Sequence, residues 1–523
     1  MYNLNNYLTY ITHTWHIVDF RVKLWHNLRN ESHKWVPLTP RNMNIVIVVI
    51  DALRASDVGC FGRNDNITPN IDSLAEDSLL FERCFAASNK TDVSMSSMLS
   101  GKYPREHGIT HHGTRHNDGN LRRLEQRSPE FVPELLNKNG YQTIGVDWMG
   151  RWHEWGYDNY GVDSGGRDVQ DTGDTIPEKA FNHLKDAVLE LPDPLLGPIM
   201  KQYYRRFGYE DFRVDCEDLT DIAIDRIDDT NDPFFTLLHY WDVHPPYLPP
   251  QEYIEEFEYD GEDEHLSKYF GDGAKGPLSA AFQAYARGEQ EYMSDAKEAY
   301  DGATAWVDEQ LGRLLDFLRA ENLMEETLVI VTADHGHNFG EHNIFSDNVG
   351  LYDTSVRVPL VVSHPNHGSG RIDGLVQLTD IAPTVMDYAG VKIPTDVRSN
   401  VLPTTREYVF AESIEHRMQM LRTDRWKLII PKDVEFLKSR AWYDGDGETE
   451  LYDLNADPDE IENVANANPE VLARLERMLE DELDAQKESA ESGSGRTADI
   501  DNADMEEIQE RLGALGYADD DNV

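Results

Sequence analysis

Basic residues are scarce in this chain: 48 lysines and arginines stand against 97 aspartates and glutamates over 523 residues, a formal net charge of −49. The acids run along the whole length and are not gathered in one tail. Such a surface offers no footprint for a phosphate backbone, which excludes nucleic acid as a partner. It suits a protein working in concentrated salt, where screening removes self-repulsion, and the excess is read as halophilic adaptation, not as function. Cysteine is rarer still. Cys60, Cys84 and Cys216 are an odd, sparse set that argues against a disulfide framework. Long apolar runs are also missing: nothing approaches the roughly 18–20 residues of a membrane span, and residues 45–50, though apolar, are far too short. The first residues lack the basic start, apolar middle and small-residue cleavage site of a secretory signal. These absences predict a soluble, cytoplasmic protein without a signal peptide or transmembrane helix.

What is present suffices for a large core. Hydrophobic residues make up 40% of the chain, and its length suggests one big domain plus a smaller one. Residues 1–42 precede the first core strand and form a helical extension. Ile11, Trp15, Val18, Val22 and Trp25 lie on one helical stripe, with Arg21, Lys23 and Arg29 around it. That stripe packs on the protein's own core or, alternatively, docks on a partner or makes a membrane surface contact through residues 11–25 that would render the protein peripheral to the bilayer. From 43 to 400, apolar runs of strand type alternate with helical spacing. Strands are expected at 44–50, 140–146, 234–240, 328–331 and 358–362, and helices at 68–80, 94–99, 129–137, 178–189, 216–228, 291–319 and 378–389. Residues 154–176 and 250–290 read as loops or insertions. This alternation predicts an α/β fold, a large, mostly parallel mixed sheet sandwiched by helices. Residues 401–485 change texture: short strands near 408, 419, 426 and 450, then a helix at 469–483, predict a small C-terminal α+β subdomain with a short antiparallel sheet. Residues 486–523 read as an acidic flexible linker with a short tail helix.

The chemistry gathers at strand ends. The apolar run Leu328–Val331 is followed by Asp334, His335, Gly336 and His337, and the first strand closes at Asp51. In open α/β sheets, ligands bind at the carboxyl ends of the strands. The plain reading of either end is a turn with a capping aspartate. Taken together with Thr91, just before the helix at 94, two carboxylates, one imidazole and one hydroxyl make a compact N/O site for a divalent cation. A cation there would acidify the hydroxyl and polarise an oxyanion substrate, and the following helix N-terminus favours bound sulfate or phosphate.

The chain resembles the sulfatase family of the alkaline phosphatase superfamily. The stretches that carry the resemblance are 48–54, Gly59–Gly62, Thr68–Asp72, Met98–Pro104 with His107 and Gly108, and Asp242–Tyr247. They continue with Asp334–Gly336, Gly340–His342, Arg357–Leu360, Asp380–Thr384 and Glu450–Leu454. The resemblance implies Asp51, Asp334 and His335 as metal ligands, Thr91 at the nucleophile position, and His244 contacting the transferred group or protonating the leaving oxygen. It also implies His107, Arg151 and His153 as residues holding the anion, for each of which a plain loop polar residue is the alternative.

The departures bear on the reaction. The family signature Cys/Ser-x-Pro-Ser-Arg reads Thr91-Asp92-Val93-Ser94-Met95. A threonine cannot be oxidised to the formylglycine aldehyde, because its carbinol carbon carries a methyl group, so no formylglycine is expected and Thr91 would attack directly. Met95 removes an anion-binding charge, Asn348 stands where lysine or histidine is usual, and Ala52 stands where many sulfatases have a second aspartate. The last change trims a calcium cage; one divalent ion is expected, whether calcium, manganese, magnesium or zinc. The first expectation is a hydrolase of sulfate or phosphate esters carried on small molecules or glycans. The alternatives are a phosphoglycerol- or phosphoethanolamine-type transferase acting on glycan or lipid headgroups, and a non-catalytic family member.

Overall fold

The strand that orders the molecule is β1, Asn44–Ile50, seven residues that are all buried. A β-branched apolar run of this kind has no polar face and is stable only when covered on both sides. In the computed structural model, residues 43–111, 129–147, 155–162, 214–230, 233–270, 280–345, 350–365, 368–413, 416–438 and 447–492 are described. The other strands of the main sheet are β2 (Leu79–Phe85), β3 (Gln142–Val146), β4 (Asn159–Tyr160), β5 (Phe234–Tyr240), β6 (Thr327–Thr332), β7 (Arg357–Val358), β8 (Leu360–Ser363) and β9 (Gly370–Gln377). Among the described residues the sheet has nine strands in the order β4-β3-β5-β1-β6-β8-β2-β7, with β9 paired to β2. The stretch β4-β3-β5-β1-β6 is parallel throughout, and β8 and β7 run antiparallel to their neighbours.

The helices form two groups, each packed within itself. α1 (Pro69–Glu76) and α4 (Cys216–Asp228) lie against the long α5 (Met293–Ala320), while α2 (Thr91–Ser100) packs with α3 (Val132–Lys138) and α6 (Ile381–Tyr388). Every residue of α2 is buried, and Gly101 ends it at φ 71°, a left-handed conformation that glycine adopts without a Cβ penalty. A second sheet, β10 (Tyr408–Glu412), β11 (Met418–Thr423), β12 (Trp426–Pro431) and β13 (Glu450–Asp453), is an antiparallel meander. Helix α7 (Pro469–Ser492) packs on its middle strands. The fold class is therefore the α/β architecture expected, with the small antiparallel sheet C-terminal to it.

Several elements differ from the sequence reading. The helix expected at 68–80 stops at Glu76, because Leu79–Phe85 is drawn into the sheet between β8 and β9. β9 carries no strand signal, since its first half is largely exposed. The run at 358–362 is two strands, divided at Pro359, which has no N–H for the ladder. Residues 250–290 hold the short helices Gln251–Ile254, Ser267–Phe270 and Ala280–Arg287. Helix α7 continues to Ser492, so the linker expected from 486 is helical over its first residues. The stripe at 11–25, the helix at 178–189 and the tail helix lie outside the described residues. Among the described residues no helix is long and apolar enough to cross a membrane.

Candidate active site

Register places the site. Val49 of β1 lies opposite His239 of β5 on one side and Thr332 of β6 on the other, so three parallel strands end in line. Asp51 follows β1 and Asp334 and His335 follow β6. The Asp51 backbone N–H donates to Tyr240 O at 2.9 Å, which keeps the chain in ladder register through the end of β1. Ala52 then takes φ 60°, a left-handed conformation uncommon for a residue with a Cβ. Its N–H donates to Asp334 Oδ1 at 3.1 Å, and the His335 N–H donates to the same oxygen at 2.8 Å. The second oxygen, Asp334 Oδ2, has no hydrogen-bond partner among the described residues although it is buried. Ser94 Oγ donates to Asp334 O at 2.6 Å and ties the first turn of α2 to this strand end.

The His335 ring is oriented by its backbone. Its Nδ1 lies 2.9 Å from Gly336 O, and a carbonyl only accepts, so Nδ1 carries the hydrogen and Nε2 presents its lone pair. That Nε2 lies 3.2 Å from Asp334 Oδ2, 3.9 Å from Asp51 Oδ1 and 3.2 Å from Thr91 Oγ1. Thr91, the first residue of α2, also donates its hydroxyl toward Asp51 Oδ2 at 3.4 Å. The four residues brought together from three distant stretches are all buried.

His239, beside these residues, is one that sequence reasoning did not single out. Its Nε2 lies 3.7 Å from Asp51 Oδ2, and donor atoms of Asp51, His239 and Asp334 all lie within 4.8 Å of one another. The available signal was a lone imidazole in the otherwise apolar strand Phe234–Tyr240, where a buried polar residue is the informative observation. Two buried carboxylates beside two imidazoles fit a divalent cation. Tetrahedral bonds of about 2.0–2.2 Å put ligands roughly 3.3–3.6 Å apart; His335 Nε2 lies 3.2 Å from Asp334 Oδ2 and 3.9 Å from Asp51 Oδ1, His239 Nε2 lies 3.7 Å from the other Asp51 oxygen, and the compact donor group is Asp51, His239 and Asp334, without His335. The buried Asp334 Oδ2, without a hydrogen-bond partner, would be costly unless a charge met it.

The remaining expected residues fall differently. His107 is fully buried; its Nδ1 accepts the Ile109 N–H at 3.1 Å and its Nε2 lies 3.0 Å from Ser97 Oγ, so it braces α2. His244 is half-buried on the loop after β5, with Nδ1 2.8 Å from Pro245 O and its ring edge-on to Trp241. Arg151, His153 and Asn348 lie outside the described residues. Beside the site, buried Arg54 pairs with Asp57 at 2.6 Å and Glu341 at 2.7 Å. Burial works against its charge, but the two carboxylates outweigh burial and hold its pKa well above the usual value.

An open, mainly parallel sheet with a hydroxyl held over acids and imidazoles at its strand ends is the arrangement of the alkaline phosphatase superfamily. Within it, the Sulfatase family model matches residues 43–391, more than half of the chain, and the chain belongs to the sulfatase family. A second family model, N-sulphoglucosamine sulphohydrolase C-terminal, matches residues 340–489. Similar curated proteins include an arylsulfatase of Clostridium perfringens, 26% identical, with 86% of this chain and 96% of the relative covered. An N-acetylglucosamine-6-O-sulfatase of Bacteroides thetaiotaomicron is 23% identical, with 80% and 82% covered. Among solved structures, the phosphonate monoester hydrolase of Agrobacterium radiobacter superposes with a TM-score of 0.59 at 18% identity, covering 86% of this chain and 96% of that one.

Proposed function

We propose that this chain is a metal-assisted hydrolase of sulfate or phosphate esters in which unmodified Thr91 is the nucleophile. The observation that carries the reading is the Thr91 hydroxyl, buried 3.2 Å from His335 Nε2 and 3.4 Å from Asp51 Oδ2 at the head of α2. Asp51, Asp334 and His335 would hold a divalent cation, whose charge would acidify the hydroxyl and polarise the ester oxyanion. Thr91 gives its proton to Asp51 Oδ2, the carboxylate oxygen toward which its hydroxyl already donates. Its oxygen then bonds to sulfur or phosphorus as the ester oxygen leaves. His244 protonates that leaving oxygen; its Nδ1 is turned to Pro245 O, which leaves Nε2 as the proton-carrying position of an imidazolium. Water then cleaves the bond to Thr91 and restores the hydroxyl. The N–H groups of the first turn of α2 bear on the anion.

Sulfated or phosphorylated small molecules and glycans are the substrate classes. The N-acetylglucosamine-6-O-sulfatase relative supports a sulfated sugar, and a threonine that cannot form the aldehyde supports phosphate chemistry. Aryl sulfates, phosphate monoesters and diesters, assayed in high salt with several divalent ions, decide between them. Thr91→Ala is expected to lower kcat at least ~1000-fold with an unchanged melting temperature, and Thr91→Ser to keep measurable turnover. Full activity in Thr91→Ala would move the nucleophile to Ser94 or to a water.

A further inference from the structure

His239 stands in a row of three residues at neighbouring strand ends. Asp147 follows β3, His239 is the last residue but one of β5, and Asp51 follows β1, in the spatial order β3-β5-β1. All three are fully buried. His239 Nε2 lies 3.7 Å from Asp51 Oδ2, and its Nδ1 lies 3.7 Å from Asp147 Oδ1. Neither ring nitrogen has a hydrogen-bond partner among the described residues. A plain polar brace would sit at about 2.7–3.2 Å from its acceptors, and this ring is too far from both.

The carboxylate behind the ring is held more firmly than the ring itself. Trp241 Nε1–H donates to Asp147 Oδ1 at 2.8 Å, and the Tyr160 hydroxyl donates to Oδ2 at 2.8 Å. The ring is also packed against Trp241, with centroids 4.7 Å apart. With a cation on its far side, an imidazole 3.7 Å from a buried carboxylate gains basicity from that charge without a hydrogen bond to it. Ala52, meanwhile, offers no side-chain oxygen next to Asp51.

We infer that His239 is a nitrogen ligand of the metal centre, with Asp147 as its positioning carboxylate, so that the centre selects manganese or zinc over calcium. The inference rests on the metal reading of the proposed function. The donor set becomes two carboxylate groups, Asp51 and Asp334, and two imidazoles, His335 and His239. Two nitrogens suit borderline cations, whereas calcium takes six to eight oxygens.

The test uses the full chain in high salt, stripped with a chelator and reloaded with Mn2+. Pulsed EPR is expected to resolve nitrogen coupling from two imidazoles in the unsubstituted protein and from one in His239→Gln. Equilibrium dialysis is expected to show at least a tenfold loss of Mn2+ affinity in that variant and a smaller change for Ca2+. Asp147→Asn provides the readout should His239→Gln not fold: Mn2+ affinity falls about 10- to 100-fold while both nitrogen couplings persist. Two couplings and unchanged affinity in His239→Gln, or unchanged affinity in Asp147→Asn, would overturn this inference alone. An unsubstituted chain that takes up no divalent ion would overturn the metal reading of the proposed function as well.

Discussion

The carboxylate of Asp334 divides its oxygens between two tasks. Oδ1 takes the N–H groups of Ala52 and His335, at 3.1 and 2.8 Å, and so cannot rotate without losing both. Oδ2 is thereby aimed at His335 Nε2, 3.2 Å away. The left-handed turn at Ala52 is the local cost of bringing its N–H there, in line with strain collecting at functional sites. Gly336 completes the arrangement: its N–H donates to Ser355 O at 2.8 Å, and a Cβ on it would stand 2.0 Å from Thr354 O. That neighbour is backbone and cannot swing aside. Gly336→Ala is therefore expected to push the 354–355 segment away and to cost roughly 1–3 kcal/mol, read as a lowered urea midpoint together with lost turnover. An alanine variant with wild-type stability would show that the segment yields freely. Asp334→Ala should release the metal, and elemental analysis that finds it retained would refute the ligand assignment.

Among the elements, a buried lysine of the second sheet helps join it to the short helical turn Asp353–Val356 behind the site. Lys427 of β12 lies 2.8 Å from Asp353 Oδ1 and 2.5 Å from Glu460 Oε1, and the Asp353 N–H donates to Glu460 Oε2 at 2.7 Å. One ammonium faces two carboxylates, and they do not share it equally. Burial would raise the pKa of Asp353, but Lys427 and Arg422 hold it well below the ordinary range. Burial, opposed by Lys427 and helped by Asp353, raises Glu460 to about 7. A raised carboxyl pKa means that the folded state binds the proton more tightly than the unfolded state. Its stabilising contribution is complete below the unfolded value near 4.5 and is lost as pH rises through about 7. Stability is thus expected to fall across that window, and Glu460→Gln to flatten the fall, as measured by urea midpoints from pH 4.5 to 7.5. An unaltered slope in the variant would assign the titration elsewhere. The elements also show what was legible beforehand. β1, β5 and β6 were readable because burial on both faces leaves an apolar run. Asp51, Asp334 and His335 were readable because they stand where those runs stop. β2 was not, since Glu82 and Arg83 interrupt it and its identity comes from pairing with β8 and β9. His239 was hidden for the opposite reason, lying inside a strand whose apolar signal was strong.

For the whole molecule, the dominant physical fact is a formal charge of −49. The fold brings acids together at many points and neutralises some of them locally. Arg63 meets both Asp57 and Asp301, and Lys297 meets the same two carboxylates. Pairs of this kind cannot balance twice as many acids as bases, so the remainder repels across the surface at a range set by the ionic strength. The Debye length is about 10 Å at 0.1 M salt and about 3 Å at 1 M. The folded state holds the charges closer together than the unfolded chain does and therefore gains more from screening. The melting temperature is expected to climb steeply between 0.1 and about 1 M KCl, where the screening length contracts most in absolute terms, and to flatten above that. NaCl should act alike if screening is the cause, whereas a surface-excluded osmolyte such as sucrose strengthens burial without shortening the Debye length and should give no such early rise. A melting temperature constant from 0.1 to 2 M KCl would mean that the acidic excess is already compensated within the fold, and the halophilic reading of the composition would fall with it.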